Sequence, residues 1–533
     1  MPAILIREID NTIYNVIKDV SDNVVFIPGL AITGPYDDSV LCTTYEDFIA
    51  TFGDHAPSTA DTTFMTSWDY AVNLLLMNTP VMFRRLTQNY SVTPVVDLTG
   101  YAVGSSNMQT AVASPVTYAT ISGKWGGTYD NVLYYTVSND TTNYYLKVYE
   151  KTGTSTYTLL EVNTVCAYTG TLETDLAAYA AGIAALSSNY VTISSIVTAN
   201  ITACSALSEI LTGTYTAVAA VGSQGGDPTT EAQIIASMAT VYAEMSDKYL
   251  YNIKFITSGG YTSATAPLYN AMVSLASTRG DALALLDAPV GTSADAESTY
   301  WYTTVPINSS YAASHAPWAN LSLKTGTAKW CPPSFVFLYQ LSKSINAGNK
   351  IWQPMAGVNR ATVSEVNRLE YNIGAATLDN WQNHGGTGTY VYQSINPIMR
   401  LRQYGYVIYG QRTLYYINST THSALEELAV RMVSIEIKRK IFETCIRLSF
   451  EFNNLHTWNE FKGTMIPYLD SLYQNDAITS YQVIMNSNTT TPTDIQQNKV
   501  NGVVRITAGR AVEYFDIGFE LTPSGATFTE INE

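Results

Sequence analysis

Asp287 closes an apolar run, Ala282-Leu283-Ala284-Leu285-Leu286, with the character of a buried parallel strand. The C-terminal end of such a strand is where many α/β enzymes hold catalytic groups. Ala288-Pro289 follow and favour a turn, so Asp287 reads first as a turn-forming carboxylate. The five histidines, His55, His315, His384, His422 and His456, are far apart with no i, i+4 pair, and read as packing or surface residues. The glycine cluster Gly222-Ser223-Gln224-Gly225-Gly226-Asp227-Pro228 has no lysine and no suitably placed strand, so it reads as a linker and not as a phosphate cradle. Asp37-Asp38 after Gly34-Pro35-Tyr36 reads as a solvated turn, with weak cation binding as the alternative. No phosphate-loop, zinc-protease or nucleophile-elbow motif occurs. The expectation is a chain with no catalytic, cofactor or metal residues, and not an enzyme.

Composition points the same way. At 533 residues the chain exceeds a single core; at roughly 150 residues per domain it should hold three or four domains. Hydrophobic residues make up 46% but charged residues only 14%, so Thr, Ser, Asn and Tyr must supply the polar surface. The net charge of −16 argues against direct nucleic-acid binding, which requires clustered Lys and Arg. Cys42, Cys166, Cys204, Cys331 and Cys445 are odd in number and widely spaced, which supports free, mostly buried thiols and a reducing compartment. Met1-Pro2-Ala3-Ile4-Leu5-Ile6-Arg7-Glu8 does not read as a signal peptide, and no apolar run approaches the ~20 residues that span a bilayer.

The expected architecture is multidomain α/β and α+β. Residues 1–20 read as an extended arm. Residues 21–88 form a first α/β piece: a strand Asn23 to Ile27 ended by Pro28-Gly29, a short helix from Thr44 stopped by Gly53, a helix Trp68 to Met77 and a strand Pro80 to Leu86. Residues 89–230 are rich in Thr, Ser, Tyr and Ala. They read as an inserted β-rich outer domain with a hairpin about Asn139-Asp140, a further strand Tyr157 to Val162 and an Ala-rich helix near 174–187. Residues 231–395 restore an α/β rhythm: strand Tyr251 to Ile256, helix Thr265 to Arg279, strand Ala282 to Asp287, a parallel βαβ unit with both faces covered. Residues 396–533 form a C-terminal α+β domain. Its long helix carries Leu425, Leu428, Met432, Ile435, Phe442 and Cys445; its second opens with a Thr457/Glu460 capping box and buries Trp458, Phe461, Met465, Leu469 and Leu472, with Pro467 inside. Strands Val503–Thr507 and Phe515–Leu521 close the chain, leaving an open strand edge. Lys438-Arg439-Lys440 on the long helix reads either as a solvated face or as a basic patch for an acidic partner.

Several of these segments, in this order, resemble contractile phage tail sheath proteins. Pro2-Ala3-Ile4-Leu5-Ile6-Arg7-Glu8-Ile9-Asp10 is similar to the family's opening strand, and Ile32-Thr33-Gly34-Pro35 to a strand ending in Gly-Pro. Tyr45-Glu46-Asp47-Phe48 with Phe52-Gly53, and Tyr70-Ala71-Val72 with Val81-Met82-Phe83-Arg84-Arg85-Leu86, resemble its next two motifs. Leu285-Leu286-Asp287-Ala288-Pro289, then Pro332-Pro333-Ser334 with Trp352-Gln353-Pro354-Met355-Ala356, continue the likeness. In the terminal domain Gly410-Gln411-Arg412-Thr413-Leu414, Glu451-Phe452-Asn453-Asn454, Thr491 with Asp494-Ile495 and Asn498 (where the family writes Gly), and Glu513-Tyr514-Phe515 complete it. Residues 89–230 match poorly, apart from a faint echo at Trp125 to Leu133.

The resemblance implies a structural subunit that polymerises helically with itself around an inner tail tube and contracts to drive the tube through a host envelope. Baseplate and tail terminator proteins are its further partners. The place implied is the tail of a virion assembled in the host cytoplasm, with no membrane insertion. It assigns Ile4, Ile6 and Ile9 of the arm to a neighbour's sheet, and Val503, Arg505, Phe515, Ile517, Phe519 and Leu521 to the receiving strands and C-terminal tail. Lys438, Arg439 and Lys440 become candidates for tube contact. A secreted β-rich adhesin or surface-layer protein is the alternative that the Thr, Tyr and Asn content allows.

Overall fold

A computed structural model describes residues 23–31, 33–35, 38–53, 63–86, 105–109, 116–124, 132–140, 142–152, 155–205, 211, 215–218, 231–291, 293–382, 394–416 and 423–511. The arm with Ile4, Ile6 and Ile9, and the last strand with Phe515, Ile517, Phe519 and Leu521, lie outside the described residues. So do Asp37, His55, His384, His422 and the glycine cluster at 222–228. The chain divides into two compact units, one ending at Arg439 and the other beginning at Lys440.

The first unit opens with β1 (Val25–Gly29), β2 (Val40–Cys42), α1 (Tyr45–Phe52), α2 (Ser67–Leu75) and β3 (Val81–Arg85). Thr44 caps α1, and a Thr66/Asp69 capping box starts α2. Every residue of α2 is buried, which its largely apolar sequence tolerates because Ser67, Asp69 and Asn73 find partners; the Ser67 hydroxyl accepts from Leu30 N–H at 3.1 Å. Asp69 meets Lys329 at 2.6 Å, and Asn73 donates to the Asp69 carbonyl. The strand β1 continues through Pro28-Gly29, where a stop was expected. Only Val25 and Phe26 pair with the neighbour on one side, so the missing N–H of Pro28 interrupts no ladder there. Gly29 is required by space, since a Cβ would lie 2.3 Å from the Ser67 hydroxyl oxygen of α2.

Next come β4 (Ser105–Gln109), β5 (Thr117–Gly123), β6 (Leu133–Asn139), β7 (Asn143–Lys151), β8 (Tyr157–Ala167), α3 (Leu172–Ala185), β9 (Val191–Ser194), α4 (Thr198–Thr202) and β10 (Thr216–Ala217). They form two antiparallel sheets, ordered β4-β5-β9 and β10-β6-β7-β8. The expected hairpin is β6–β7, with Asp140 accepting from the N–H groups of Thr142 and Asn143 at the turn. Alternation along β6 and β7 sends Leu133, Tyr135, Val137, Tyr144, Leu146 and Val148 into a core shared with Leu176, Tyr179 and Ile183 of α3.

The α/β rhythm resumes with α5 (Glu231–Glu244), β11 (Phe255–Ile256), α6 (Pro267–Arg279), β12 (Leu283–Leu286), α7 (Ala294–Thr299) running into a π-turn at Tyr300–Thr304, and β13 (Ala312–Ala316). It continues through β14 (Ala319–Ser322), β15 (Ala328–Cys331), α8 (Pro333–Asn346), β16 (Val366–Leu369), α9 (Ala375–Gln382), β17 (Ile395–Leu401) and β18 (Gly405–Ile408). One eight-stranded sheet, β18-β17-β13-β12-β11-β1-β3-β2, collects strands from both sides of the insertion, and its six central strands are parallel. Val25, Ile27, Leu283 and Leu285 face a core with α1, α2 and α8; Val24, Phe26, Ala284 and Leu286 face one with α5 and α6. Burial on both faces explains the unbroken apolar strands.

Two boundaries differ from the sequence reading. The strand expected over Tyr251 to Ile256 shrinks to β11, because arginines take its early carbonyls: Arg279 donates to Tyr251 O at 2.8 Å and Arg439 to Ile253 O at 3.1 Å. The strands after residue 395, expected to open the terminal domain, complete the large sheet, with Ile395, Ile398, Val407 and Ile408 buried.

The chain then enters α10 (Leu428–Leu448). The second unit comprises the end of α10 together with α11 (Leu455–Gln474), β19 (Ile478–Ile484), α12 (Pro492–Gln496) and β20 (Val503–Ala508). Trp458, Phe461, Met465, Leu469 and Leu472 form its buried stripe with Ile478. Asn454, not Thr457, caps α11, accepting from the N–H groups of His456 and Thr457; the Thr457 hydroxyl donates back to Phe452 O at 2.7 Å. Pro467 lies on the exposed face of α11, where the carbonyl it leaves unbonded, on exposed Gly463, meets water. Cys445, expected within the stripe of α10, is exposed.

A Thr491/Asp494 capping box opens α12, and Asn498 follows it at φ +57°. Asparagine, after glycine, is the residue that best tolerates this left-handed backbone. Asn498→Gly should leave stability within a few tenths of a kcal/mol, whereas Asn498→Val should lower it by about 1–2 kcal/mol in chemical denaturation.

Candidate assembly site

The second unit presents a two-stranded ladder. β19 and β20 pair antiparallel from Ile484↔Val503 to Ile478↔Ala508, with an irregularity beside Ser480. Among the described residues no other strand joins this pair. Alternation places Val503, Arg505 and Thr507 outward, and Val504 and Ile506 on the half-buried face. The Arg505 guanidinium donates to Gln482 Oε1 across the ladder. The sheet is anchored through β19, whose Tyr481 hydroxyl donates to Asp470 of α11. The sequence reading missed β19, although Ile478-Thr479-Ser480-Tyr481-Gln482-Val483-Ile484 is rich in β-formers and follows a turn at Asp476 (φ +60°).

Glu451-Phe452-Asn453-Asn454, which the resemblance reads as a strand ending, lies instead in the turn between α10 and α11. Phe450 sits at φ +71° and is fully exposed, with Phe452 at 84% and Leu455 at 66%. A bulky side chain in the left-handed region is strained. The loop is pinned nearby: Trp458 Nε1 donates to Asn453 Oδ1 at 2.9 Å, and Asn453 Nδ2 to Lys499 O at 2.8 Å.

Lys438, Arg439 and Lys440 do not form one patch. Arg439 is buried, donating to Ile253 O, Asp281 O and Asn252 Oδ1, with Asp281 also 3.9 Å away as a counter-ion. Exposed Lys438 donates to the Tyr311 hydroxyl at 2.6 Å and lies over that ring. Lys440 bridges to Glu443 at 3.3 Å. Residues two apart on a helix point to different sides, and the middle guanidinium is committed to its own fold.

Asp287, read from the sequence as a turn former, instead holds another element. Fully buried at the end of β12, it accepts from Ser334 N–H at 2.7 Å and from the Ser334 hydroxyl at 2.5 Å. It therefore caps the N-terminus of α8 from another element, where helical N–H groups favour an acceptor. Tyr70 of α2 donates to the Ser334 hydroxyl at 3.0 Å, and Trp318 Nε1 to Ala288 O at 2.9 Å. Three sequence motifs, at Tyr70, Leu285–Pro289 and Pro332–Ser334, thus meet at one point. Desolvation pushes the Asp287 carboxyl up to about 7, despite the bonds from Ser334.

The Gly410–Leu414 motif is a similar junction. Leu414 N–H donates to Ala312 O, Thr413 N–H to Glu426 O, and Asn396 exchanges bonds with both backbone groups of Arg412. His315 is buried and stacked on Phe337, and burial pushes it down to about 3, so it stays neutral. His456 is exposed. Among the described residues no group of His, Cys, Asp and Glu could hold a metal ion, and no helix is long and apolar enough to cross a membrane.

No family model matches the chain. A stretch of 184 residues is 27% identical to the tail sheath protein of Enterobacteria phage T4. It covers 34% of this chain, and the match spans about a quarter (26%) of that relative's length. In fold the chain is similar to a crystal structure of a sheath tail protein from Listeria innocua, with TM-score 0.56 and 13% identity over 91% of this chain and 95% of that one. A sheath tail protein from Desulfitobacterium hafniense aligns over 91% of this chain and 95% of its own, with TM-score 0.49 and 14% identity. The resemblance to tail sheath proteins first read from short motifs thus holds in sequence over part of the chain, and the mixed α/β fold built on a parallel sheet is shared.

Asp287→Ala removes the acceptor of the buried Ser334 N–H and should lower the unfolding free energy by roughly 1–3 kcal/mol in urea denaturation. Asp287→Asn, which retains an acceptor, should lose less.

Proposed function

We propose that this chain is a tail sheath subunit: it polymerises helically around an inner tube and contracts to drive that tube through a host envelope. The observation that carries the reading is the fold shared with a sheath tail protein along nearly the whole chain, joined to partial sequence identity with a phage tail sheath protein. Its relatives are structural proteins, and the reading is of a non-enzymatic component.

The ladder of β19 and β20, which no third strand extends among the described residues, supplies the physical rationale. A two-stranded sheet is marginal without further pairing. The extended arm, carrying Ile4, Ile6 and Ile9, is the segment we assign to a neighbour's sheet, with Val503 and Arg505 on the receiving strand. The C-terminal segment with Phe515, Ile517, Phe519 and Leu521 completes that sheet and reaches a further neighbour. Such a contact is heterologous and propagates into a helix. Subunits linked by main-chain hydrogen bonds remain tethered while their bodies rotate during contraction. The inner tube protein, baseplate and tail terminator proteins are the further partners, within a virion tail assembled in the host cytoplasm. For tube contact, Lys438 and Lys440 remain the accessible candidates, since Arg439 is internal.

Deletion of residues 1–20 tests the reading. The full chain should form hollow striated tubes or rings by electron microscopy. The deletion should give a folded monomer, with an unchanged circular dichroism spectrum, that forms none. Tubes of normal length from the deleted chain would refute the strand-addition mechanism.

A further inference from the structure

An amine, an amide and a carboxylate meet where two strands of the large sheet begin. Asn23 lies two residues before β1, and Lys254 lies immediately before β11. These strands are parallel neighbours with Val25 opposite Phe255. Lys254 N–H and Phe255 N–H both donate to Val24 O, so the two entering segments are held side by side. Glu436 reaches them from α10. That helix is fixed over the same strand ends by Arg439, which donates to Ile253 O at 3.1 Å.

The Lys254 side chain is 1% exposed. Its Nζ donates to Asn23 Oδ1 at 3.0 Å and meets Glu436 Oε1 at 2.7 Å. That glutamate oxygen is itself closed off from solvent. Asn23 Nδ2 donates to no group among the described residues. The electrophilic carbon of an amide lies one bond from its oxygen, so an amine bonded to Oδ1 is within reach of Cγ. Burial favours the neutral, nucleophilic form of an amine, and a carboxylate beside it can take and return protons. Holding both reactants in contact turns an otherwise slow bimolecular step into an intramolecular one. The three side chains thus supply nucleophile, electrophile and proton relay.

We propose that Lys254 and Asn23 join in an intramolecular isopeptide bond, with Glu436 as the catalytic carboxylate. Glu436 takes a proton from the Lys254 ammonium, and the freed Nζ adds to Cγ of Asn23. The tetrahedral adduct collapses to an amide between Cγ and Nζ as the bond from Cγ to Nδ2 breaks. The two protons shed by Lys254 leave with Nδ2 as ammonium, and Glu436, which relays them, ends as the carboxylate it was. No oxidant or cofactor enters the step. The new bond joins positions 231 residues apart and ties the start of β1 to the start of β11. The chemistry rests on the first unit alone. Its use rests on the sheath reading: tension on an arm held by a neighbour would enter the body at Asn23, and the bond would pass it to a second strand instead of peeling β1 away.

Mass spectrometry of the purified full chain, incubated at neutral pH, tests the bond without reference to tube formation. The intact mass should fall by one ammonia. Trypsin should fail to cut after Lys254, and the peptides that carry Asn23 and Lys254 should be recovered as one branched species. An unchanged intact mass, with cleavage after Lys254 and separate peptides, would overturn the proposal. Glu436→Gln keeps the shape of the side chain without its carboxylate and should lose the branched peptide. An undiminished yield from that variant would overturn the proposed mechanism. Should Glu436→Gln fail to fold, Glu436→Asp decides, since it withdraws the carboxylate by one methylene: slower appearance of the branched peptide supports the relay, and an unchanged rate overturns it.

Discussion

The fold depends on covering both faces of a parallel sheet while satisfying the polar groups left where its strands end. A parallel sheet is stable only when helices bury each face, and every such helix brings orphan N–H groups into the interior. At α8 the problem is acute, because the helix starts inside the protein with Pro332 and Pro333 and offers no capping side chain of its own. Asp287 solves it from the end of β12. The cost is a carboxyl held in apolar surroundings, recorded in its upward shift to about 7. Once that node is fixed, α2 is placed through Tyr70 and the β13–β14 corner through Trp318.

The same logic shows what could be read from the sequence. The strands with unbroken apolar runs, the βαβ unit at α6, the β6–β7 hairpin and the α11 stripe are all set by local periodicity and turn residues, and those signals survive tertiary packing. The role of Asp287 was not legible, because its partner Ser334 lies 47 residues away. Arg439 misled for the same reason. A cation between two lysines reads as surface charge, yet its acceptors are the carbonyls of Ile253 and Asp281, which only the fold brings near. Those bonds also removed the first half of the strand expected at Tyr251. Asn498 is a middle case: its departure from glycine was visible, and its left-handed backbone explains why asparagine serves.

In the second unit the constraint is different. β19 and β20 make too small a sheet to cover themselves, and α11 buries only the side reached by Ile478. Main-chain donors and acceptors along the outer edges thus need partners from water or from another strand. The exposed Phe450, Phe452 and Leu455 add an apolar surface to the same unit. A protein that left such features without purpose would risk aggregation.

Net charge sharpens the assembly argument. Copies that each carry −16 repel one another, and at physiological ionic strength this acts over about 8 Å. Surface ion pairs between copies are a weak means of overcoming it, since each contributes at most about 1 kcal/mol. Strand addition does not have this weakness. Its hydrogen bonds run between neutral backbone groups, its register follows alternating apolar side chains, and neither depends on the sign of the surrounding surface. On the proposed strand addition, a chain with few charges and an acidic balance is consistent in its physics: the backbone carries the attraction between copies, and charge limits where else they adhere.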